Sequence, residues 1–297
     1  MKIDKVNGDV GFNEELHLYV NVKDPKIKYI SVTTLVGLYF EPFDEDFWSG
    51  YKALEALMGE DFRMVKSELL SKKKLVIKIS DFVNFEEYLD KKKEILASYS
   101  KKRIESAEYG TKIHKQKEES FYQGGPISLK DCGFTVFDGV FDCERHNFDL
   151  NRERAVLPEY LVYYSDPEGH VHIAGQMDLL IKEGNEISIY DYKTMEDGIE
   201  SKAYYNKAKK QTKKMYYPIN NLDDHKLMHY TLQLSIYAWM LQKINPNLTV
   251  KKLCLIHIDR TGKETEIEVP YKKEEVSRMI KDLRKQNQIK QLKSGKS

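Results

Sequence analysis

Three cysteines in 297 residues (Cys132, Cys143, Cys254), with no C-x-x-C pair, cannot assemble a disulfide framework or a four-cysteine zinc or iron–sulfur site within one chain. Any metal must therefore rest on oxygen and nitrogen, and no iron–sulfur cluster is expected. No apolar run approaches the ~18 residues a bilayer crossing needs. Met1 to Val10 has neither an apolar signal core nor an Arg-rich, acid-free transit character. A cytoplasmic protein without a membrane partner is the expectation. Glycine (16) and proline (8) are too scarce for a fibrous or low-complexity chain, while 41% hydrophobic and 11% aromatic residues supply a globular core. Net charge is also missing: 48 basic against 47 acidic residues leave +1, so nothing global argues for nucleic-acid binding.

Locally the charge is uneven. Residues 201–217 hold Lys202, Lys207, Lys209, Lys210, Lys213 and Lys214 with Tyr204, Tyr205, Tyr216 and Tyr217 and no acid, and from Leu283 onward five further bases stand without an acid. Taken alone, such runs are solvated helix faces and frayed tails.

Leu16–Val22 alternates as a strand, Ser31–Phe40 is β-branched and apolar, and Phe47–Met58 has helical spacing. Lysine-rich helical stretches follow to about residue 97. A helix from Leu96 to Tyr122 is expected to end at Gly124-Gly125-Pro126, and it places His114 and Glu118 on the stripe that should point inward. Strands are expected at Val156–Tyr164, Val171–Ile181 and Glu186–Thr194, joined as an antiparallel meander by Asp166-Pro167-Glu168-Gly169 and Glu183-Gly184-Asn185. A buried helix (227–244), strands at 252–259 and 265–269 and a closing helix (271–288) complete the pattern. The expected division is a lead-in with a mainly helical, cleft-covering elaboration over 1–97 and an α/β core over 98–297.

In the third core strand, period two puts Ile187, Ile189, Asp191 and Lys193 on one face. The hairpin through Gly184-Asn185 can bring Asp178 alongside Asp191. Two carboxylates on one face repel unless a cation lies between them, and Lys193 is one charge for two. A divalent metal resolves the conflict: oxygen ligands suit Mg²⁺, and an added imidazole admits Mn²⁺.

Four elements in this order, Gly110-Thr111-Lys112-Ile113-His114 with Glu118, Gly175-Gln176-Met177-Asp178, Asp191-Tyr192-Lys193 and Gln233-Leu234-Ser235-Ile236-Tyr237, resemble the PD-(D/E)XK nuclease superfamily in its RecB-like branch. The likeness spans residues 98–259, and Pro158-Glu159 is similar to a P-E that precedes the Asp motif in relatives. Ser31-Val32-Thr33 with Pro42-Phe43-Asp44 is similar to the N-terminal segment of phage and mitochondrial genome-maintenance exonucleases. The resemblance implies a restriction-endonuclease-like α/β fold with a mixed sheet flanked by helices. It implies metal ligation by Asp178, Asp191 and the Tyr192 main-chain carbonyl, with His114 beside them and Glu118 or Glu159 as further ligands. Lys193 would orient or deprotonate the attacking water, and Gln233 and Tyr237 would hold the nucleotide. In that setting the Lys/Tyr segment would follow phosphates and stack on bases.

The implied activity is Mg²⁺- or Mn²⁺-dependent hydrolysis of DNA by an exonuclease on single strands or ends, working with recombination, repair or replication proteins. The alternatives are a structure-selective endonuclease and a module that binds without cutting. Forty lysines among the 48 bases suggest an AT-rich genome, of a phage or its low-GC bacterial host.

Overall fold

The computed structural model describes residues 2–72, 74–75, 77–122, 145, 148–196, 198–206 and 210–294. Cys132, Cys143, Gly124-Gly125-Pro126, Lys207 and Lys209 lie outside the described residues. The chain forms two compact units, Met1–Glu41 with Lys112–Ser297, and Pro42–Thr111.

The first unit opens in strands. Gly8 adopts the left-handed conformation (φ 57) that a tight hairpin needs and closes β1 (Lys5–Asn7) onto β2 (Val10–Asn13), which pairs with β3 (Leu18–Asn21). Val10 and Phe12 bury one face of this small sheet against Leu161 and Ala174. β4 (Ile30–Ser31) then passes into α1 (Val32–Gly37), whose start is capped by Ser31 Oγ accepting the Thr34 N–H at 3.0 Å. The apolar run here is helical because Val32, Leu35, Val36 and Tyr39 recur at steps of three and four, and all four are buried.

The second unit is helical. Asp44 caps α2 (Glu45–Met58) by accepting the Phe47 N–H at 2.9 Å, and α3 (Arg63–Lys72) and the first part of α4 (Phe85–Tyr122) follow. Its core gathers Phe47, Tyr51, Leu54, Phe62, Leu69 and Tyr88. The helix expected from Leu96 begins at Phe85 because Asn84 Oδ1 accepts the N–H groups of Glu86 and Glu87 (2.9 and 3.1 Å) and Tyr88 is buried within the unit. Residues 42–111 make up this helical unit, and residues 1–41 group with the sheet-bearing one.

The rest of the first unit carries the central sheet. β5 (Arg154–Ser165), β6 (His172–Glu183) and β7 (Glu186–Lys193) form the expected antiparallel meander. The Lys/Tyr segment, which reads as a helix face in isolation, instead contains a short hairpin of β8 (Tyr205–Asn206) and β9 (Gln211–Thr212). α5 (Lys226–Ile244) crosses over to β10 (Thr249–Ile258), which runs parallel to β7; β11 (Glu264–Glu268) pairs antiparallel to β10, and α6 (Lys273–Ser294) closes the chain. The order is β11-β10-β7-β6-β4, with β5 on the other edge of β6. One face packs on α1, α5 and α6 through Val32, Leu180, Ile187, Ile189, Leu234, Ile236 and Met279. The other packs on the end of α4 through Phe121, Leu179, Tyr190 and Tyr192.

Gly175 sets how closely α5 approaches β6. A Cβ there would come within 2.6 Å of the Tyr237 ring and 2.8 Å of Val32 Cγ2. We expect Gly175→Ala to lower stability by ~1–3 kcal/mol through overpacking. An unchanged denaturant midpoint would show that α5 yields without cost.

Candidate active site

β6 and β7 run in register until Leu179 faces Tyr190, so one step further Asp178 comes level with Asp191. There the ladder stops. The Tyr192 N–H donates to Asp178 Oδ2 at 2.6 Å. On the other side of β6, Glu159 lies between the pairs Pro158–Leu179 and Tyr160–Met177 and is therefore also level with Asp178. Three acids from three adjacent strands stand in one row.

The row coincides with a break in alternation. Leu157 and Tyr160 of β5 both enter the same core, as do Met177 and Leu180 of β6, so each strand spends an extra residue at the level of Glu159 and Asp178. Glu159 itself is held at φ 51, a backbone conformation costly for a residue with a Cβ.

The two helical layers reach this row from opposite faces of the sheet. From α4, His114 Nδ1 comes within 3.2 Å of Asp178 Oδ1. From α5, Gln233 Nε2 donates to Asp191 Oδ1 at 3.0 Å and lies 3.4 Å from the Tyr237 hydroxyl. Lys193 Nζ is 2.5 Å from Asp191 Oδ2 and 4.7 Å from the centre of the Tyr230 ring. Gln176 Nε2 donates to Glu159 Oε2.

Burial and close charges set the ionisation. Burial works against the Asp178 carboxylate, yet His114, Lys193 and the Tyr192 N–H outweigh it and hold its pKa below the usual range. For Asp191, burial and the neighbouring Asp178 charge prevail over Lys193 and push the pKa to about 6. Burial, then Asp178, carries Glu159 to about 8 against the pull of Lys5. Burial would depress His114, but Asp178 in particular raises it to about 9. Lys193 is likewise raised, the Asp191 and Asp178 carboxylates prevailing over burial.

Side-chain donors of His114, Glu159 and Asp178 lie within 4.8 Å of one another. Two carboxylates and an imidazole at that spacing are a hard-oxygen and nitrogen donor set, which fits a divalent cation. Glu159, which the resemblance implied only as a further ligand, is one of the three groups of this cluster. Glu118, the other acid named as a further ligand, accepts from the Tyr122 hydroxyl at 3.3 Å and is outside that triad.

The Lys/Tyr segment divides. Tyr204, Tyr205, Tyr216 and Tyr217 are exposed, Tyr217 by 76%. Lys213 is paired with Asp224 (2.8 Å) and Glu41 (3.4 Å), and Lys214 with Asp223 (2.7 Å). The acids that meet these lysines come from outside the acid-free window. Lys210 is exposed beside β9 at φ 50. Two neighbours of the site escaped the sequence reading. Tyr230 could have been found, since it precedes Gln233 by three residues on the same helical face. Lys5, 3.7 Å from Glu159 Oε2, carried no signal.

A mixed sheet thus presents carboxylates, an imidazole and a lysine where two of its strands part. Residues 83–297 match the model of the PD-(D/E)XK nuclease superfamily, and the chain belongs to that superfamily. Among curated proteins none matches the chain. Among solved structures, the protein SSO0001 is 18% identical over 43% of this chain and 48% of its own, with a TM-score of 0.25, so the chain spans about half its length. A candidate exonuclease of Eubacterium rectale is 12% identical over 85% of this chain and 77% of its own, with a TM-score of 0.30. Neither likeness is close enough to define an activity. Among the described residues, no helix is long and apolar enough to cross a membrane.

Proposed function

We propose that the protein is a metal-dependent DNA exonuclease of the RecB-like branch, acting on single strands or DNA ends in recombination, repair or replication. The observation that carries this reading is the convergence of His114, Glu159, Asp178, Asp191 and Lys193, from a helix and three strands, on one level of the sheet. His114, Glu159, Asp178, Asp191 and the Tyr192 carbonyl are the groups that would hold Mg²⁺ or Mn²⁺. When bound, such an ion makes water a better nucleophile and offsets charge developing on the phosphate.

The chain's own groups supply the rest. In the hydrolysis, a water oxygen bonds to phosphorus, the bond to the leaving ester oxygen breaks, and that oxygen departs with a proton. Lys193 is kept as an ammonium by two carboxylates, which suits it to steadying the phosphate charge and orienting the water. Gln233 fixes Asp191, and Tyr237 stands beside it to limit how the nucleotide enters.

The exposed tyrosines support base stacking, and with Lys213 and Lys214 engaged in ion pairs, Lys202 and Lys210 are the exposed described lysines of the segment placed to meet phosphate. Tyr217→Ala should weaken single-strand binding by ~1–3 kcal/mol without altering its salt dependence. Lys210→Gln should flatten the slope of log affinity against log salt by about 0.7. Isotherms at several salt concentrations, with catalytically inactive protein, separate the two effects; no change in either would remove the segment from the DNA path.

Exonuclease action is tested with end-labelled linear and covalently circular single-stranded DNA. The proposal expects mononucleotides or short products from the linear strand and an intact circle. Rapid linearisation of the circle would make the enzyme an endonuclease.

A further inference from the structure

The small sheet β1–β3 lies outside residues 83–297, the portion that matches the superfamily, yet it reaches the metal-site candidate. It is seated firmly on β5. Asn7 Nδ2 donates to the Leu161 carbonyl at 2.6 Å, the Tyr163 hydroxyl accepts the Asp9 N–H at 3.2 Å, and Val10 and Phe12 bury themselves against Leu161 and Ala174. Two side chains of this sheet turn toward Glu159. The Tyr19 ring stacks on Phe12 at 4.8 Å, and its hydroxyl has its pKa raised by burial first and then by the Glu159 charge. Lys5, only 4% exposed, sets its ammonium 3.7 Å from Glu159 Oε2 and 3.2 Å from Glu14 Oε1.

A buried lysine needs a reason, because desolvating an ammonium is costly unless a carboxylate faces it. Glu14 alone would not require burial, since it is 55% exposed and could be met in solvent. What Lys5 gains by being inside is Glu159, whose backbone is already held in a costly conformation. Lys5 and Gln176 converge on the same oxygen, Oε2, from different strands. Held from two sides, the carboxylate cannot turn freely away from His114 and Asp178.

We propose that Lys5 is a positioning residue of the active site: from a sheet outside the matched domain, it fixes the Glu159 carboxylate toward His114 and Asp178 and so completes the cation site. The inference rests on the assignment of that trio as the metal site under the proposed function.

The test is calorimetric titration of the full-length protein with Mn²⁺, alongside thermal melting without metal. Lys5→Met should weaken Mn²⁺ binding about tenfold or more, the loss typical when a group that orients a ligand is removed. Lys5→Arg, which keeps the charge, should retain most of the affinity, and Glu14→Gln should bind as wild type. The deciding variant is Lys5→Met with Glu159→Gln. If Lys5 acts through Glu159, the pair binds no more weakly than Glu159→Gln alone. Wild-type affinity in Lys5→Met, or losses that add in the double variant, would overturn the proposal. Should Lys5→Met fail to melt cooperatively, Lys5→Gln takes its place in the same cycle and is judged by the same criteria. Asp178→Asn in the same titration separates the levels: wild-type Mn²⁺ binding by that variant overturns the metal-site assignment and the Lys5 proposal together. Abolished binding there with unchanged binding in Lys5→Met overturns the Lys5 proposal alone.

Discussion

Replacing Asp178 or Asp191 with alanine is expected to lower DNA cleavage by about 10³-fold or more while the protein still folds. Each removes a buried carboxylate from a row in which three acids face one another across adjacent strands. Asp178 is held ionised by His114, Lys193 and the Tyr192 N–H, so its loss takes away the partner of the His114 ring and of a main-chain donor as well as a proposed ligand. Asp191 anchors Lys193 at 2.5 Å and Gln233 at 3.0 Å, so its loss frees the lysine to which the proposed mechanism assigns the phosphate charge. Far-ultraviolet circular dichroism should be unchanged, because relieving like-charge repulsion compensates part of the lost pairing. A variant that keeps wild-type turnover would place the chemistry elsewhere.

The second large effect is expected at Lys193. Lys193→Ala should reduce kcat by about 10²- to 10³-fold with little change in KM, because the charge matters most where the transition state forms. Lys193→Arg distinguishes two roles. Guanidinium keeps the charge but cannot give up a proton near neutral pH, so full activity would exclude a general base and leave electrostatic stabilisation. Partial rescue is expected here, since Arg is longer and would not reproduce both the 2.5 Å contact with Asp191 and the seat on the Tyr230 ring.

The sheet was largely legible because its strands are local. The Glu183-Gly184-Asn185 turn sets the β6–β7 register, and that register alone brings Asp178 level with Asp191. The helix carrying His114 could be read from its stripe and its end at Tyr122, though its start was hidden because Asn84 and Tyr88, rather than apolar periodicity, determine it. Glu159 was harder. Its place beside Asp178 depends on a break of alternation in two strands at once and on a left-handed residue that no pattern announces. Lys5 was invisible, since its partner lies 154 residues away and nothing in β1 marks it as inward-facing. Lys213 and Lys214 misled in the opposite sense. The acid-free window around them hid Asp223, Asp224 and Glu41, which tertiary structure brings back to neutralise them.

The central claim, that this sheet-end cluster is a metal-dependent nuclease site, is tested most directly by the initial rate of cleavage of end-labelled single-stranded DNA by the wild-type protein. The rate is measured with Mg²⁺, with Mn²⁺ and with EDTA. Cleavage in either metal, abolished by EDTA and restored by adding the ion back, is the predicted result; cleavage that persists in EDTA, or none with any divalent ion, would contradict it.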